Sequence, residues 1–193
     1  LKKDEKLLEE LGKLQEKINK EELSEKLEQL AKQNKNKKRS LEQLLELTKK
    51  YYVSKKLEKL QKELEDLAEK QLDLSKEDKE NNTKEKQDEL NKEFEDFQKE
   101  MEQLQKENES LIDPLKLPQD KNQEEDIKKD QEAATDELGK KEENQEQNKE
   151  QDAQQNQKNA SQKQKQAGQK MKSLSQKMQA GMQMMGGAEQ MQE

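Results

Sequence analysis

The residue types in this chain allow only a narrow chemistry. The 193 residues include no histidine and no cysteine. That removes the usual general bases, thiol nucleophiles and thiolate metal ligands. Carboxylates are abundant, but a run such as Glu124-Glu125-Asp126 reads as a solvated helix face in so charged a sequence. The pair Gly186-Gly187 lacks the flanking strand and lysine of a phosphate-binding loop. The expectation is a protein that is not an enzyme, with no catalytic, cofactor-binding or metal-binding residue.

Methionine is the residue type most conspicuously placed. Six of the seven methionines lie between Met171 and Met191. On a helix, Met171, Leu174, Met178, Met182 and Met185 share one narrow stripe, and Met184 points away. Three readings compete: packing against another helix, an adaptable face for a protein partner, and a thioether copper(I) site. Methionines at helical spacing usually pack, and the stripe is kept as a possible partner face.

Lysines form the other group with binding potential. One cluster is Lys32, Lys35, Lys37, Lys38 and Arg39; a second is Lys158, Lys163, Lys165, Lys170, Lys172 and Lys177. The stretch 153–188 holds these six lysines and no acid, whereas 100–152 holds 18 acids against 8 lysines. Such blocks can attract nucleic acid, an anionic surface, or each other. The chain has one arginine and 2% aromatic residues, so base readout and stacking are poorly supplied. Pairing of the basic stretch with the acidic one is expected, within a chain or between chains.

These residues need elements to hold them. Leu, Ile, Val and Phe total 31 of the 193 residues, below the ~20% typical of chains that form a globular core. Charged residues make up 44%. Helices that bury only a stripe remain possible, and the spacing selects them. Val53, Leu57, Leu60, Leu64, Leu67, Gln71 and Leu74 alternate by four and three, as do Leu90, Phe94, Phe97, Met101, Leu104, Asn108 and Leu111. That is a coiled-coil seam. Leu7, Leu11, Leu14 and Ile18 make a shorter seam, and Leu23, Leu27 and Leu30 another. After a phase shift, Ala153, Ala160, Ala167, Leu174 and Gly181 recur every seven residues beside Gln157, Gln164, Met171, Met178 and Met185.

The expected fold is all-α: elongated coiled-coil helices, with an antiparallel helical hairpin and a long C-terminal Gln/Met-rich helix. Residues 1–39 are expected to hold N-terminal helical segments and a basic loop. Residues 40–112 form the hairpin, with its turn near 75–83, and 113–119 are a proline break around Pro114 and Pro118. Residues 120–185 form one helix of about 100 Å, and 186–193 a frayed tail. Ser40, Asn82 and Asp120 are read as helix caps. Asn108, a polar residue in a seam, either fixes register or marks fraying. Apart from Tyr51-Tyr52-Val53 the longest apolar run is two residues, so no segment is expected to insert into a membrane. The chain starts at Leu1 rather than Met and reads as a piece of a longer protein.

The run Phe94-Glu95-Asp96-Phe97-Gln98-Lys99-Glu100-Met101, then Asn108-Glu109-Ser110-Leu111, Pro114-Leu115-Lys116-Leu117-Pro118 and Lys158-Asn159-Ala160-Ser161-Gln162-Lys163 with the Met/Gln segment after it, resembles a known family. It is the coiled-coil region of a family of very large, uncharacterised bacterial proteins, defined only as a domain of unknown function. The resemblance covers roughly residues 40–193. It implies a membrane-anchored parent, a location in the cell envelope as the soluble part of that parent, and no catalytic residue. The expected function is a non-enzymatic scaffold or spacer that mediates helix–helix protein interactions. The alternative is a lysine-cluster module for nucleic acid or an anionic surface.

Overall fold

The computed structural model describes residues 2–17, 25, 28–29 and 41–191. Among them are five named helices and no strand: α1 (Lys2–Lys17), α2 (Leu41–Leu74), α3 (Lys84–Glu109), α4 (Lys121–Glu146) and α5 (Glu150–Met191). The all-α expectation holds, and so does the long C-terminal helix. Two compact units emerge: Leu1–Leu57 with Leu104–Leu115, and Glu58–Gln103 with Lys116–Glu193. Helices α2 and α3 contribute to both.

The first unit joins α1 to the first half of α2 through Lys49 and Glu10, 3.1 Å apart. Leu45, Val53, Leu57, Leu104 and Leu111 are buried in it. Its chain turn after α3 is held by side chains rather than by helix bonds. The Glu46 carboxylate accepts from the backbone N–H groups of Ile112 (2.8 Å) and Asp113 (3.3 Å). The Lys50 ammonium lies 3.1 Å from Asp113. Asn108 settles into a role that neither earlier reading covered. Its amide donates to the carbonyl of Leu115 at 2.7 Å and accepts from the Leu115 N–H at 2.9 Å. A seam asparagine thus tethers the proline segment to the end of α3. The Leu23–Leu30 seam, the Lys32–Arg39 cluster and the Ser40 cap lie outside the described residues.

The second unit is a four-helix bundle. Helices α2 and α3 run antiparallel, joined by Lys70–Glu93 (2.9 Å) and Gln71–Gln87. Helix α3 neighbours α4 through Asn91–Thr135 (2.8 Å), with Lys84 N–H donating to Glu142 at 3.0 Å. Helix α4 neighbours α5 through Lys170–Asp130 (2.6 Å) and Lys177–Asp120 (3.2 Å). Helix α5 closes the ring on α2 through Gln61–Ser175 (2.9 Å). Each neighbour runs opposite to the last, an up-down-up-down order with short connections.

The single helix expected over 120–185 is therefore corrected: it is two helices that fold back on one another. The break is at 147–149, where Asn148 has φ 56°, the one positive φ among the non-glycine residues described. Asparagine tolerates this left-handed conformation better than other side-chain-bearing residues. The N–H groups of Gln147, Asn148 and Lys149 bond to carbonyls of Glu143, Gln145 and Asn144, which ends α4 and reverses the chain within three residues. The helix also runs past the expected end at 185, through Gly186-Gly187 to Met191, and residues 192–193 of the expected tail lie outside the described residues.

The proline segment separates α3 from α4, and helix α3 ends at Glu109 rather than 112. Asp120 caps α4, accepting from the Gln123 N–H at 3.0 Å. Asn82 does not cap α3. Thr83 takes that place, with its hydroxyl oxygen 3.3 Å from the Lys86 N–H, and Asn82 turns inward.

Four helices rather than two explain how so few apolar residues suffice. Facing stripes of Leu60, Leu64 and Leu67, of Leu90, Phe94, Phe97 and Met101, and of Ile127, Ala134 and Leu138 are buried with Ala160, Ala167, Met171 and Leu174. The Phe94 and Phe97 rings stack at 5.9 Å, an arrangement that adds to area burial. Small residues let α2 and α5 approach closely. A Cβ on Gly168 would lie 2.7 Å from the Leu72 side chain, and one on Gly181 would lie 2.6 Å from Pro118.

Candidate functional site: a buried amide layer and two lysine rows

The most chemically organised place in the second unit is polar and central. One glutamine from each helix of the bundle points inward: Gln71, Gln87, Gln131 and Gln164, each at most 2% exposed. They bond to one another. Gln71 and Gln87 exchange amide bonds at 2.8 and 2.9 Å. Gln131 donates to Gln71 at 3.2 Å, and Gln164 donates to Gln87 at 3.0 Å. Asn82, from the α2–α3 turn, exchanges bonds of 2.7 and 2.8 Å with Gln164. The chain of bonds runs on from Gln87 to Asn91 and from Asn91 to Thr135.

Buried amides are costly unless bonded, and here each finds partners. The layer is chemically inert: amides neither titrate in this range nor act as nucleophiles. Its physical effect is on pairing. A polar layer is satisfied in one register only, so a slip of any helix would leave amides unpaired.

Lys141 lies nearby, 2% exposed. Its ammonium donates to the backbone carbonyls of Lys79 (2.9 Å) and Asn82 (2.6 Å). Burial pushes its pKa below the usual lysine value. The lysine ties the α2–α3 turn to α4 and has no acid as partner in these bonds. Glu124 is the counterpart at the other end of α4. Burial raises its pKa above the ordinary carboxylate value, and hydrogen bonds from Gln98 and Gln119 oppose that shift.

The residues singled out in sequence fall as follows. The seam residues Leu60, Leu64, Leu67, Leu90, Phe94, Phe97 and Met101 are buried in the bundle, and Leu57 and Leu104 are buried in the first unit. Of the methionine stripe, Met171, Leu174 and Met178 are buried within the bundle. That part of the stripe is internal packing and is not open to a partner. Met182 and Met185 are half-buried, and Met184 is exposed. Among the described residues no group of three or more acids converges as a metal site would.

The basic stretch of α5 resolves into two rows. Lys163 and Lys170 flank Asp130 at 3.6 and 2.6 Å, and Lys177 meets Asp120 at 3.2 Å. The opposite charge blocks do pair, within one chain. Asp120 is held below the usual aspartate pKa by the Gln123 N–H and then by Lys177. The other row, Lys158, Lys165 and Lys172, is exposed and has no ion pair among the described residues.

The glutamine layer was half visible in sequence. Gln71 and Gln164 stand in seam positions, and Gln87 and Gln131 extend the four-three spacing as Gln87-Leu90-Phe94 and Ile127-Gln131-Ala134-Leu138. No spacing rule says that four separated glutamines meet. Comparison of the chain with protein-family models, curated proteins and solved structures finds no match.

Proposed function

We propose that this chain is a non-enzymatic helical scaffold or spacer within a larger, membrane-anchored protein of the cell envelope, and that it engages proteins through helix–helix contacts. The observation that carries the reading is the closure of the bundle on itself. Its apolar stripes face one another and its central amides bond to one another, so the interior is committed to structure. What the bundle presents to its surroundings is a set of charged helix faces. Among the described residues, no helix is long and apolar enough to cross a membrane, and the envelope location and the anchor rest on the family resemblance.

The test is affinity capture with the full-length protein and with a version lacking residues 58–185. Partners lost with the bundle support the scaffold. Identical partners from both versions refute it. The lysine-cluster module keeps one supporting observation, the unpaired row Lys158, Lys165 and Lys172. Binding to phosphate polymers falls steeply with salt, so a salt titration separates it from seam-mediated helix pairing.

A further inference from the structure

The two lysine rows of α5 have the same seven-residue spacing but different environments. Lys163, Lys170 and Lys177 lie on the side toward α4 and are matched by Asp130 and Asp120. Lys158 and Lys165 border the end of α2, and the row Lys158, Lys165, Lys172 has no ion pair among the described residues. Within helix α5 the stretch 153–188 contains no acid, and Glu150 in its first turn already pairs with Lys79. Several acids on the α2 side have other partners: Glu58 pairs with Lys62, Glu65 accepts from Gln61, and Asp73 pairs with Lys76. Glu77 and Asp78 line the cleft at the end of α2, against the four lysines Lys76, Lys79, Lys158 and Lys165. Asp78 accepts from the N–H groups of Glu80 and Asn81. Lys79 is already neutralised by Glu150.

Lys158 and Lys165 edge an open cleft of about 620 Å³ between the end of α2 and α5, with Leu72, Ser75 and Ser161 in its lining. Leu72 is half-buried and gives the cleft an apolar floor. Lys172 continues the row one heptad further on.

We propose that this groove docks an acidic helix of a partner protein, one that presents carboxylates at seven-residue spacing. The proposal deepens the scaffold reading and rests on it. The spacing selects the partner. Three cations about 10.5 Å apart along a helix match one carboxylate per two turns of a second helix. Phosphates along a duplex strand follow at ~3.4 Å, and no aromatic or arginine side chain lines the cleft to stack on a base. The sister row shows lysine–carboxylate pairing inside the molecule, where Asp130 serves Lys163 and Lys170 and the cap residue Asp120 serves Lys177.

The probe is a synthetic alanine-rich helical peptide with glutamate at every seventh position, titrated at low ionic strength and followed by fluorescence anisotropy. A control peptide carries glutamine at those positions. The triple variant Lys158→Gln, Lys165→Gln, Lys172→Gln alters only exposed, unpaired side chains, and circular dichroism verifies its helix content. The expected result is binding of the glutamate peptide alone, weakened about tenfold or more in the triple variant, since exposed pairs contribute modestly each. Equal binding of both peptides, or no loss in the triple variant, overturns the proposal. Tighter binding of a single-stranded oligonucleotide at the same salt overturns it in favour of phosphate. Self-association of the chain that the triple variant abolishes overturns it in favour of a second copy. Each of these failures leaves the scaffold test untouched, because that test reads partner capture by the full-length protein with and without the whole bundle.

Discussion

Replacing Gln87 by leucine tests the amide layer most directly. Gln87 accepts from Gln71 and Gln164 and donates to Gln71 and Asn91. Leucine has a similar volume and offers none of these bonds. The consequences for the partners differ. Gln164 keeps Asn82 as acceptor at 2.8 Å. The Oδ1 of Asn91 is on a half-buried residue, where water can reach. The Nε2 of Gln71 loses its one acceptor. An orphaned buried donor costs about 1–3 kcal/mol, so Gln87→Leu should lower stability by about that much, less whatever the added apolar burial returns. Gln71→Leu is a milder change, because Gln87 retains Asn91 and Gln164, and Gln131 retains the Leu90 carbonyl at 3.4 Å. The double variant removes the orphan itself. Adding Gln71→Leu to Gln87→Leu should therefore restore stability, with a coupling of about 1–2 kcal/mol. Urea unfolding monitored by circular dichroism on the four proteins of the cycle measures it. Effects that add to within about 0.5 kcal/mol would refute the claim that these amides act as one unit.

Three further outcomes are expected. Gly181→Ala should destabilise the bundle despite a helix-propensity gain of up to ~1 kcal/mol, because its Cβ would meet the rigid ring of Pro118 at 2.6 Å; Gly12→Ala, with open space around it, should be neutral or stabilising, and thermal melts of the two variants decide. Glu124→Gln should stabilise the protein at pH 7. Its folded pKa is raised, so ionisation penalises the fold fully above that value, the penalty fades as pH falls, and stability curves of variant and parent should converge near pH ~4. Met178→Lys should cost far more than Met185→Lys in urea midpoint, since Met178 is 1% exposed and Met185 is half-buried.

Much of this fold was legible because apolar spacing reports helix faces directly. The four-three alternation from Val53 to Leu74 and from Leu90 to Leu111 found the buried faces of α2 and α3. The prolines found the break between α3 and α4, and Asp120 found a cap. The reversal at Asn148 was harder. It is flanked by Gln, Glu and Lys, with no proline or glycine, so composition carried no punctuation. Its trace was the phase shift between the Leu138 seam and the Ala153 seam, which a straight helix cannot absorb. The number of helices in the bundle was illegible for a related reason. A one-residue-wide stripe of leucine is compatible with one partner or two, and only the small residues Ala68, Ala160, Ala167 and Gly168 hint that other backbones come close. Asn108 and Asn82 each bond across the fold to groups that are distant in sequence or irregular in structure. No local pattern predicts such a partner.

The up-down-up-down order has a mechanical consequence within the second unit. Gln61, near the point where α2 enters that unit, bonds to Ser175 on the later part of α5, so entry and departure lie at one end. Both tight reversals, 75–83 and 147–149, lie at the other. Tension applied through α2 and α5 would therefore peel one helix from the next, breaking contacts a few at a time, instead of shearing all of them together. It also means that the bundle adds height rather than reach: the point where α2 enters it and the later part of α5 lie side by side, like the two feet of a post set on one rail.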